Sequence, residues 1–140
     1  MNASDAELDR YHELCAYTLS HRDPSFIHQY VVDAFAAQHA DTRSKPITLT
    51  FALVGLCLHV ERKQTGKQVQ RVHTLLARRR KDWPQFDLPI QRGGLTVSDV
   101  VGSAAGPVRD DMIDKWCASV WETYRGSRDK IIELIQAELG

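Results

Sequence analysis

Residues 47–62, ITLTFALVGLCLHVER, decide the fold of this chain. A helix through this stretch carries apolar side chains on nearly every side, as expected for a helix packed among other helices. Lys45 and Pro46 precede the stretch, and proline is well tolerated at the first helical position, where its missing N–H would have no intrahelical partner. The stretch therefore predicts a buried central helix, and its β-branched residues leave a strand as the alternative.

Motifs that start helices precede this stretch. The S-x-x-E motif at 4–7 forms a capping box, in which each side chain accepts a hydrogen bond from the other residue's backbone N–H. A helix is therefore predicted over 5–20. Asp23 followed by Pro24 is typical of an N-cap with proline at the first helical position, so a second helix is expected from there to about residue 40.

The second half of the chain carries the same signals with one interruption. The capping box formed by Thr65 and Gln68 starts a helix predicted over 66–81, and Pro107 starts another. Proline and glycine pairs break the helical pattern between them. An ordered loop is therefore expected over 82–95, with Trp83, Phe86 and Leu88 covering the core. A short helical turn is expected to begin at Thr96. After a break at Gly126 and Ser127, a last helix is expected to carry Ile131 to Leu139.

Composition sets the class of protein. The chain has 140 residues, 43% of them apolar, which is enough for one domain over 1–140 to bury a core without disulfides or a structural metal. Lysine and arginine together number 18, as do aspartate and glutamate, so no whole-molecule field favours nucleic acid or an anionic membrane. These features predict an all-α, compact single-domain bundle of about five helices plus a short helix and the ordered loop.

Cysteines and apolar runs bear on location and partners. Cys15, Cys57 and Cys117 are an odd set without paired spacing, which is typical of reduced, buried thiols in a cytoplasm. The first ten residues are acidic and polar, unlike a secretory signal, and the longest apolar run, 51–58, is far too short to span a bilayer. A cytoplasmic protein without a membrane partner is expected. The apolar faces of the last two helices leave a homodimer open.

Several of the six histidines are predicted to face inward. His12 shares a narrow arc of the first helix with Cys15, and His28 lies at the edge of the apolar face of the second helix. His73 lies among the apolar positions of the helix after the central one. His59 lies in the smallest and most polar stripe of the central helix, where small residues permit either close helix packing or a pocket. The other members of that stripe are Thr48, Ala52 and Gly55.

The first functional hypothesis is a pocket between the first three helices, lined by His12, His28 and His59 with Cys15 beside His12. Imidazole and thiolate together suit zinc or another late transition metal. The same imidazoles also suit a small organic ligand or proton transfer near neutral pH, with Arg62 orienting an anionic substrate. The structural alternative is that neighbours satisfy each ring at the edge of the core. Whether the protein is an enzyme stays open.

Carboxylates that would tune such imidazoles are Glu13, Asp33 and Glu61. Asp33 and Gln29 share the opposite, more polar side of the second helix, which predicts a surface i, i+4 pair rather than an active-site base. The chain contains no H-E-x-x-H motif, nucleophile elbow or phosphate-binding glycine loop. The motifs therefore assign no reaction class.

The alternative hypothesis uses a local excess of cations within 62–81. In a helix-turn-helix arrangement the central helix would support the helix at 66–81, which would enter nucleic acid. Cations at a helix end are otherwise typical of dipole partners on a solvated face. The alternative is thus a non-catalytic interaction or nucleic-acid-binding protein. Its surface would comprise Lys67, Arg71, Arg78, Arg79, Arg80 and Lys81.

Four long segments are specific enough to compare with known families: YHELCAYTLSH (11–21), FIHQYVVDAFAAQHA (26–40), LHVERKQTGKQVQRVHTLLARRRKDW (58–83) and DKWCASVW (114–121). Together they resemble a bacterial family defined only as a domain of unknown function. The resemblance implies no activity, substrate or cofactor. Some members begin with a cysteine pair that looks like a metal-binding knuckle, and this sequence lacks it. The resemblance places His12, His21, His28, His39, His59, Arg62 and Trp116 in the family's recognisable segments.

Overall fold

The chain folds into helices, and the computed structural model describes residues 4–20 and 25–139. Within these residues there are seven α-helices and one 3-10 turn, with no strand, so the all-α prediction is confirmed. The helices are α1 (Asp5–Leu19), α2 (His28–Gln38), α3 (Pro46–Arg62), α4 (Gly66–Arg79), α5 (Val97–Val101), α6 (Pro107–Thr123) and α7 (Arg128–Leu139), with the 3-10 turn at Arg125–Ser127.

Two helices differ from their predicted bounds. α2 begins at His28, because Phe26 has a φ of 59°, in the left-handed region that a right-handed helix does not enter. Asp23 and Pro24, the expected start of this helix, lie outside the described residues, as does His21. α4 ends at Arg79, since the backbone of the next residue is already extended.

The central position of α3 is confirmed. Its buried residues lie on all sides of the helix, and α2, α4, α6 and α7 all pack against it. The strand alternative is wrong, because burial by neighbouring helices outweighs the modest strand preference of β-branched side chains. α3 thus forms the wall against which α2 and α4 are placed.

The loop over 82–95 is held to the core by one buried amide. Gln38 accepts a hydrogen bond at Oε1 from Trp116 Nε1 at 2.9 Å. Its Nε2 donates to the carbonyl oxygens of Arg92 and Leu95 at 2.9 and 2.7 Å. The loop is therefore ordered as predicted, and Trp83, Phe86 and Leu88 are half-buried against the core.

The apolar faces of α6 and α7 are covered within the chain. Trp116 is fully buried, and Tyr124 donates its hydroxyl proton to the carbonyl of Ala37 at 2.6 Å. Ile131 and Ile135 of α7 are buried as well. Packing within one chain thus suffices to explain the apolar faces of these two helices, which had suggested that a homodimer was possible. Across residues 4–20 and 25–139, the helices lack the length and apolar character that a membrane span requires.

Candidate ligand-binding cleft between α2, α3 and α4

His12 is exposed on α1, so the prediction that it faces inward is wrong. Leu8 and Leu19, which share the arc of His12 and Cys15, are 40% and 60% exposed, and of these four residues Cys15 packs against the core. The buried residues of α1 are instead Leu14 and Thr18. α1 therefore packs through a different side, and His12 is left beside solvent.

His28 and His59 are half-buried in separate surroundings. Nδ1 of His28 lies 2.9 Å from Oγ1 of Thr18, and burial lowers the pKa of this imidazole. The ring of His59 stacks on Tyr30 with centroids 3.5 Å apart, and its Nε2 lies 3.0 Å from Oδ1 of Asp114. The two rings thus have separate partners and do not share one site, and Nδ1 of His59 is buried without a hydrogen-bond partner among the described residues.

Cys15 and Arg62 do not complete a metal or substrate site. Burial raises the pKa of the Cys15 thiol, which keeps it protonated at neutral pH. Arg62 is exposed at the end of α3. Among the residues that the structure describes, no group of three or more histidines, cysteines, aspartates or glutamates is arranged to hold a metal ion. The zinc hypothesis therefore lacks a donor set in this part of the chain.

Two of the three carboxylates considered above are engaged in ion pairs. Glu13 pairs with Arg10 at 3.3 Å on the exposed side of α1. Glu61 accepts hydrogen bonds from Arg128 and Trp121, and the Arg128 guanidinium is the main cause of its lowered pKa. Neither carboxylate pairs with an imidazole among the described residues, so Asp33 is left as the carboxylate of interest.

A half-open cleft of about 400 Å³ lies between α2, α3 and α4. Thr48 and Ala52, two members of the small stripe on α3, form part of its wall, so the stripe does provide space. Most of the remaining wall is hydrocarbon. The lining residues are Gln29, Val32, Asp33, Ala36, Ile47, Thr48, Phe51, Ala52 and His73.

Asp33 is buried beside this cleft. Only 3% of the residue is exposed, and its Oδ1 accepts a hydrogen bond from Gln29 Nε2 at 3.1 Å. Its Oδ2 has no hydrogen-bond partner among the described residues. The i, i+4 pair therefore forms as predicted, but its predicted surface location is wrong, because Gly55 of α3 leaves room for the carboxyl against the helix.

His73 completes a polar cluster with Gln29 and Asp33. Its Nε2 lies 2.8 Å from the carbonyl oxygen of Phe51, which can only accept, so Nε2 carries the proton. Nδ1 then presents a lone pair to Gln29 Nε2, 3.5 Å away. The imidazole also stacks on the Phe51 ring at a centroid distance of 4.8 Å. The Gln29 amide nitrogen thus lies between the carboxyl and the imidazole.

Burial disfavours the charged forms of Asp33 and His73, the two titratable residues of this cluster. It raises the pKa of Asp33 well above its ordinary value, and it lowers the pKa of His73 to about 4. At neutral pH His73 is therefore a neutral imidazole, and burial shifts Asp33 toward its uncharged carboxylic acid form. Gln29 Oε1 accepts no hydrogen bond from the described residues, so it is available to a molecule in the cleft.

Gly55→Ala should destabilise the protein because a Cβ at this position would lie 1.9 Å from Asp33 Oδ2 and 2.6 Å from Asp33 Cγ. Overpacking of this kind costs about 1–3 kcal/mol, and the gain in helix propensity of about 1 kcal/mol offsets only part of it. Urea denaturation at pH 7 measures the difference. Gly126→Ala is the control, since nothing lies within 4 Å of a Cβ there.

The Gly55 clash is specific to the Asp33 carboxyl. Adding Gly55→Ala to an Asp33→Ala background should therefore leave stability unchanged or raise it. An equal loss in both backgrounds would show that another contact makes glycine necessary at this position.

Of the six cations in the alternative nucleic-acid surface, the structure distinguishes two that contact α7 from the other four. Arg79 Nη1 donates to the carbonyl of Glu138, and Arg80 Nη1 lies 2.9 Å from the Glu138 carboxylate, so both tie the end of α4 to α7. Lys81 follows the end of α4 and is exposed. The remaining cations of the alternative hypothesis are exposed on α4 itself. They are Lys67, Arg71 and Arg78.

Fold and site together define an all-α protein with a polar cluster of Asp33, Gln29 and His73 on the wall of a cleft between three helices. The model of the family of unknown function DUF5946 matches residues 8–125, and the chain belongs to that family. The matched range includes every residue that lines the cleft. No curated protein and no solved structure matches the chain.

Proposed function

We propose that the protein binds a small, largely apolar and uncharged organic molecule in the cleft between α2, α3 and α4. The observation that carries this proposal is the placement of Asp33, Gln29 and His73 on the wall of an otherwise hydrocarbon cleft. Small-molecule sites combine apolar walls with a few placed polar groups, and strongly shifted pKa values cluster at such sites. A buried carboxyl with an unpaired oxygen lowers stability, so packing alone is a poor reason for its presence.

The cleft favours an uncharged ligand. Burial lowers the pKa of His73 to about 4 and disfavours the charged form of Asp33, so a charged group would enter an apolar wall that favours neutral partners. Gln29 Oε1 supplies a hydrogen-bond acceptor, and the hydroxyl of Thr48 supplies both a donor and an acceptor. A hydrocarbon or aromatic body with one N–H or O–H group fits these features.

We place this function in the cytoplasm. Cys15, Cys57 and Cys117 are all free thiols, and two of them are buried in the core. Reduced cysteines of this kind support a reducing compartment.

Filling the cleft should abolish ligand binding. Ala36 lines the cleft on α2, and leucine at this position occupies part of its volume while preserving helix propensity. A library of uncharged fragments, screened by ligand-observed NMR, should yield binders to the wild type. Their affinity for Ala36→Leu should fall at least about tenfold, which corresponds to about 1.4 kcal/mol.

Ala118→Leu is the matched control, because Ala118 is exposed on α6 away from the lining residues. This variant should bind the same fragments with wild-type affinity. Fragments that bind Ala36→Leu as well as the wild type, or a library without a single binder, would contradict the proposed function.

A further inference from the structure

α4 has one packed face and one open face. Val69, His73 and Leu76 are buried, and the helix packs chiefly against α2 and α3. Its opposite side meets no other helix to a comparable extent. The exposed residues on that side are polar apart from Ala77: Lys67, Gln68, Gln70, Arg71, Thr74 and Arg78.

The open face carries a straight cationic stripe. Lys67, Arg71, Thr74 and Arg78 are separated by four, three and four residues, so they fall within about 60° of one another around the helix axis. The stripe is about 16 Å long at 1.5 Å per residue. The sequence contains no acidic residue anywhere from position 62 to position 81.

The three cations of this stripe are free of ion pairs with the described residues. Nearby carboxylates are already engaged: Glu61 by Arg128, and Glu138 by Arg80. Because no carboxylate neutralises the stripe, it presents a local positive field in a chain whose formal net charge is zero. A polyanion is the partner of matching charge.

We propose that the outer face of α4 docks on double-stranded DNA. A helix with its side chains is about 10–12 Å across, and the major groove of B-DNA is about 12 Å wide. Lys67, Arg71 and Arg78 would contact phosphates, and Gln70 and Thr74 would reach base edges between them. The backbone at the start of α4 packs against the 25–26 segment, where the Lys67 N–H donates to the carbonyl of Ser25 at 3.0 Å, and the Lys67 side chain itself is exposed.

The composition of this face favours DNA over an acidic protein. Protein interfaces centre on aromatic and large apolar side chains, and on the open face of α4 the only large apolar side chain is the half-buried Leu75 at its border. Duplex RNA is also a poorer fit, because its major groove is deep and too narrow for side chains to read. The stripe therefore suits a groove lined by phosphates.

Salt-dependent DNA binding tests this proposal. Fluorescence anisotropy with a labelled 20-base-pair duplex of mixed sequence should detect binding at 50 mM KCl. Three phosphate contacts give a slope of about −2.7 in log K against log salt, or about 40-fold weaker binding at 200 mM. The triple variant Lys67→Gln, Arg71→Gln, Arg78→Gln should lose at least about tenfold in affinity at 50 mM and most of that slope.

The matched control removes the same charge elsewhere. Arg10→Gln, Arg43→Gln, Lys115→Gln replaces exposed cations outside α4, and circular dichroism confirms that both triple variants remain helical. Control binding should equal that of the wild type. No binding at 50 mM, an equal loss in both triple variants, or equal affinity for duplex RNA or polyglutamate would overturn DNA docking.

This proposal stands independently of the cleft. Ala36→Leu, which fills the cleft behind α4, should bind DNA like the wild type. Fragment binding and DNA binding are measured separately on the same proteins. Absence of fragment binding with intact DNA binding would contradict only the cleft proposal, and the reverse result would contradict only DNA docking.

Discussion

Asp33→Asn should make the protein more stable at neutral pH, and the gain should grow as the pH rises. Burial raises the pKa of Asp33 well above its ordinary value. In the unfolded chain this carboxyl has a pKa of about 3.9, so above that pH the unfolded chain loses a proton that the folded protein keeps. Wherever the folded state holds more protons than the unfolded state, the free energy of unfolding falls with rising pH. Asparagine keeps the acceptor for Gln29 and does not titrate.

The size of this effect follows from one proton. Relative to Asp33→Asn, the wild type should lose about 1.4 kcal/mol of unfolding free energy per pH unit, for as long as the pH stays below the raised pKa of folded Asp33. Urea denaturation from pH 6.5 to pH 8 measures this loss as a difference between the two proteins, in which the titration of the histidines of the unfolded chain cancels.

Asp129→Asn is the control for charge. Its side chain is 95% exposed, and the substitution removes the same formal charge without changing a buried group. It should leave the slope of the wild type unchanged. Parallel pH profiles for the wild type and Asp33→Asn would show that the Asp33 carboxyl is ionised in the folded protein, and that the cleft is charged.

The central helix was predictable because its decisive property is local. Apolar residues surround α3 on every side, and a stretch of that kind is buried wherever its neighbours come from. The capping boxes that begin α1 and α4 are local in the same sense, and both form as the sequence indicates.

The cleft was only partly predictable because it depends on how helices face one another. The small stripe of α3 indicated space, and Thr48 and Ala52 do line the cleft. The helical pattern of α2 placed Asp33 on its polar side, yet Gly55 of α3 accommodates its carboxyl in the interior. Whether a polar position is buried depends on the partner helix, and one helix alone does not contain that information.

The histidines show the same limit. The arc shared by His12 and Cys15 on α1 was apolar enough to predict an inward face, but α1 packs through Leu14 and Thr18. His73 was recognised as a core-side residue, while its partners Gln29 and Phe51 come from two other helices. Spacing along one helix predicts which residues share a face, and tertiary packing decides which face is covered.

His73→Gln should remove an acid-dependent loss of stability of about 3 kcal/mol. Burial lowers the pKa of His73 to about 4, whereas an unfolded histidine has a pKa of about 6.5. As the pH falls from 6.5 to 4 the unfolded chain binds a proton that the folded protein does not, so this stabilising contribution is present above pH 6.5 and lost toward pH 4. Glutamine retains a donor for the Phe51 carbonyl and does not titrate in this range.

Asp33 and His73 have opposite effects in this pH window. As the pH falls from 6.5 to 4, the proton held by folded Asp33 increases stability by about 1.4 kcal/mol per unit, while His73 decreases it by about the same amount. Their contributions to the wild-type profile therefore nearly cancel. Relative to the wild type, Asp33→Asn should lose stability on acidification because the His73 contribution is unopposed, and His73→Gln should gain stability.

Comparison of four proteins isolates the two titrations. Urea denaturation at pH 4, 5, 6 and 6.5 is measured for the wild type, both single variants and the double variant, and His12→Gln supplies an exposed histidine as the control. His28 and His39 also have pKa values lowered by burial, but their contributions are common to all four proteins and cancel in the differences. If His73→Gln and the wild type keep the same slope, the imidazole is solvated, and the cleft lacks the uncharged cluster on which its ligand class was argued.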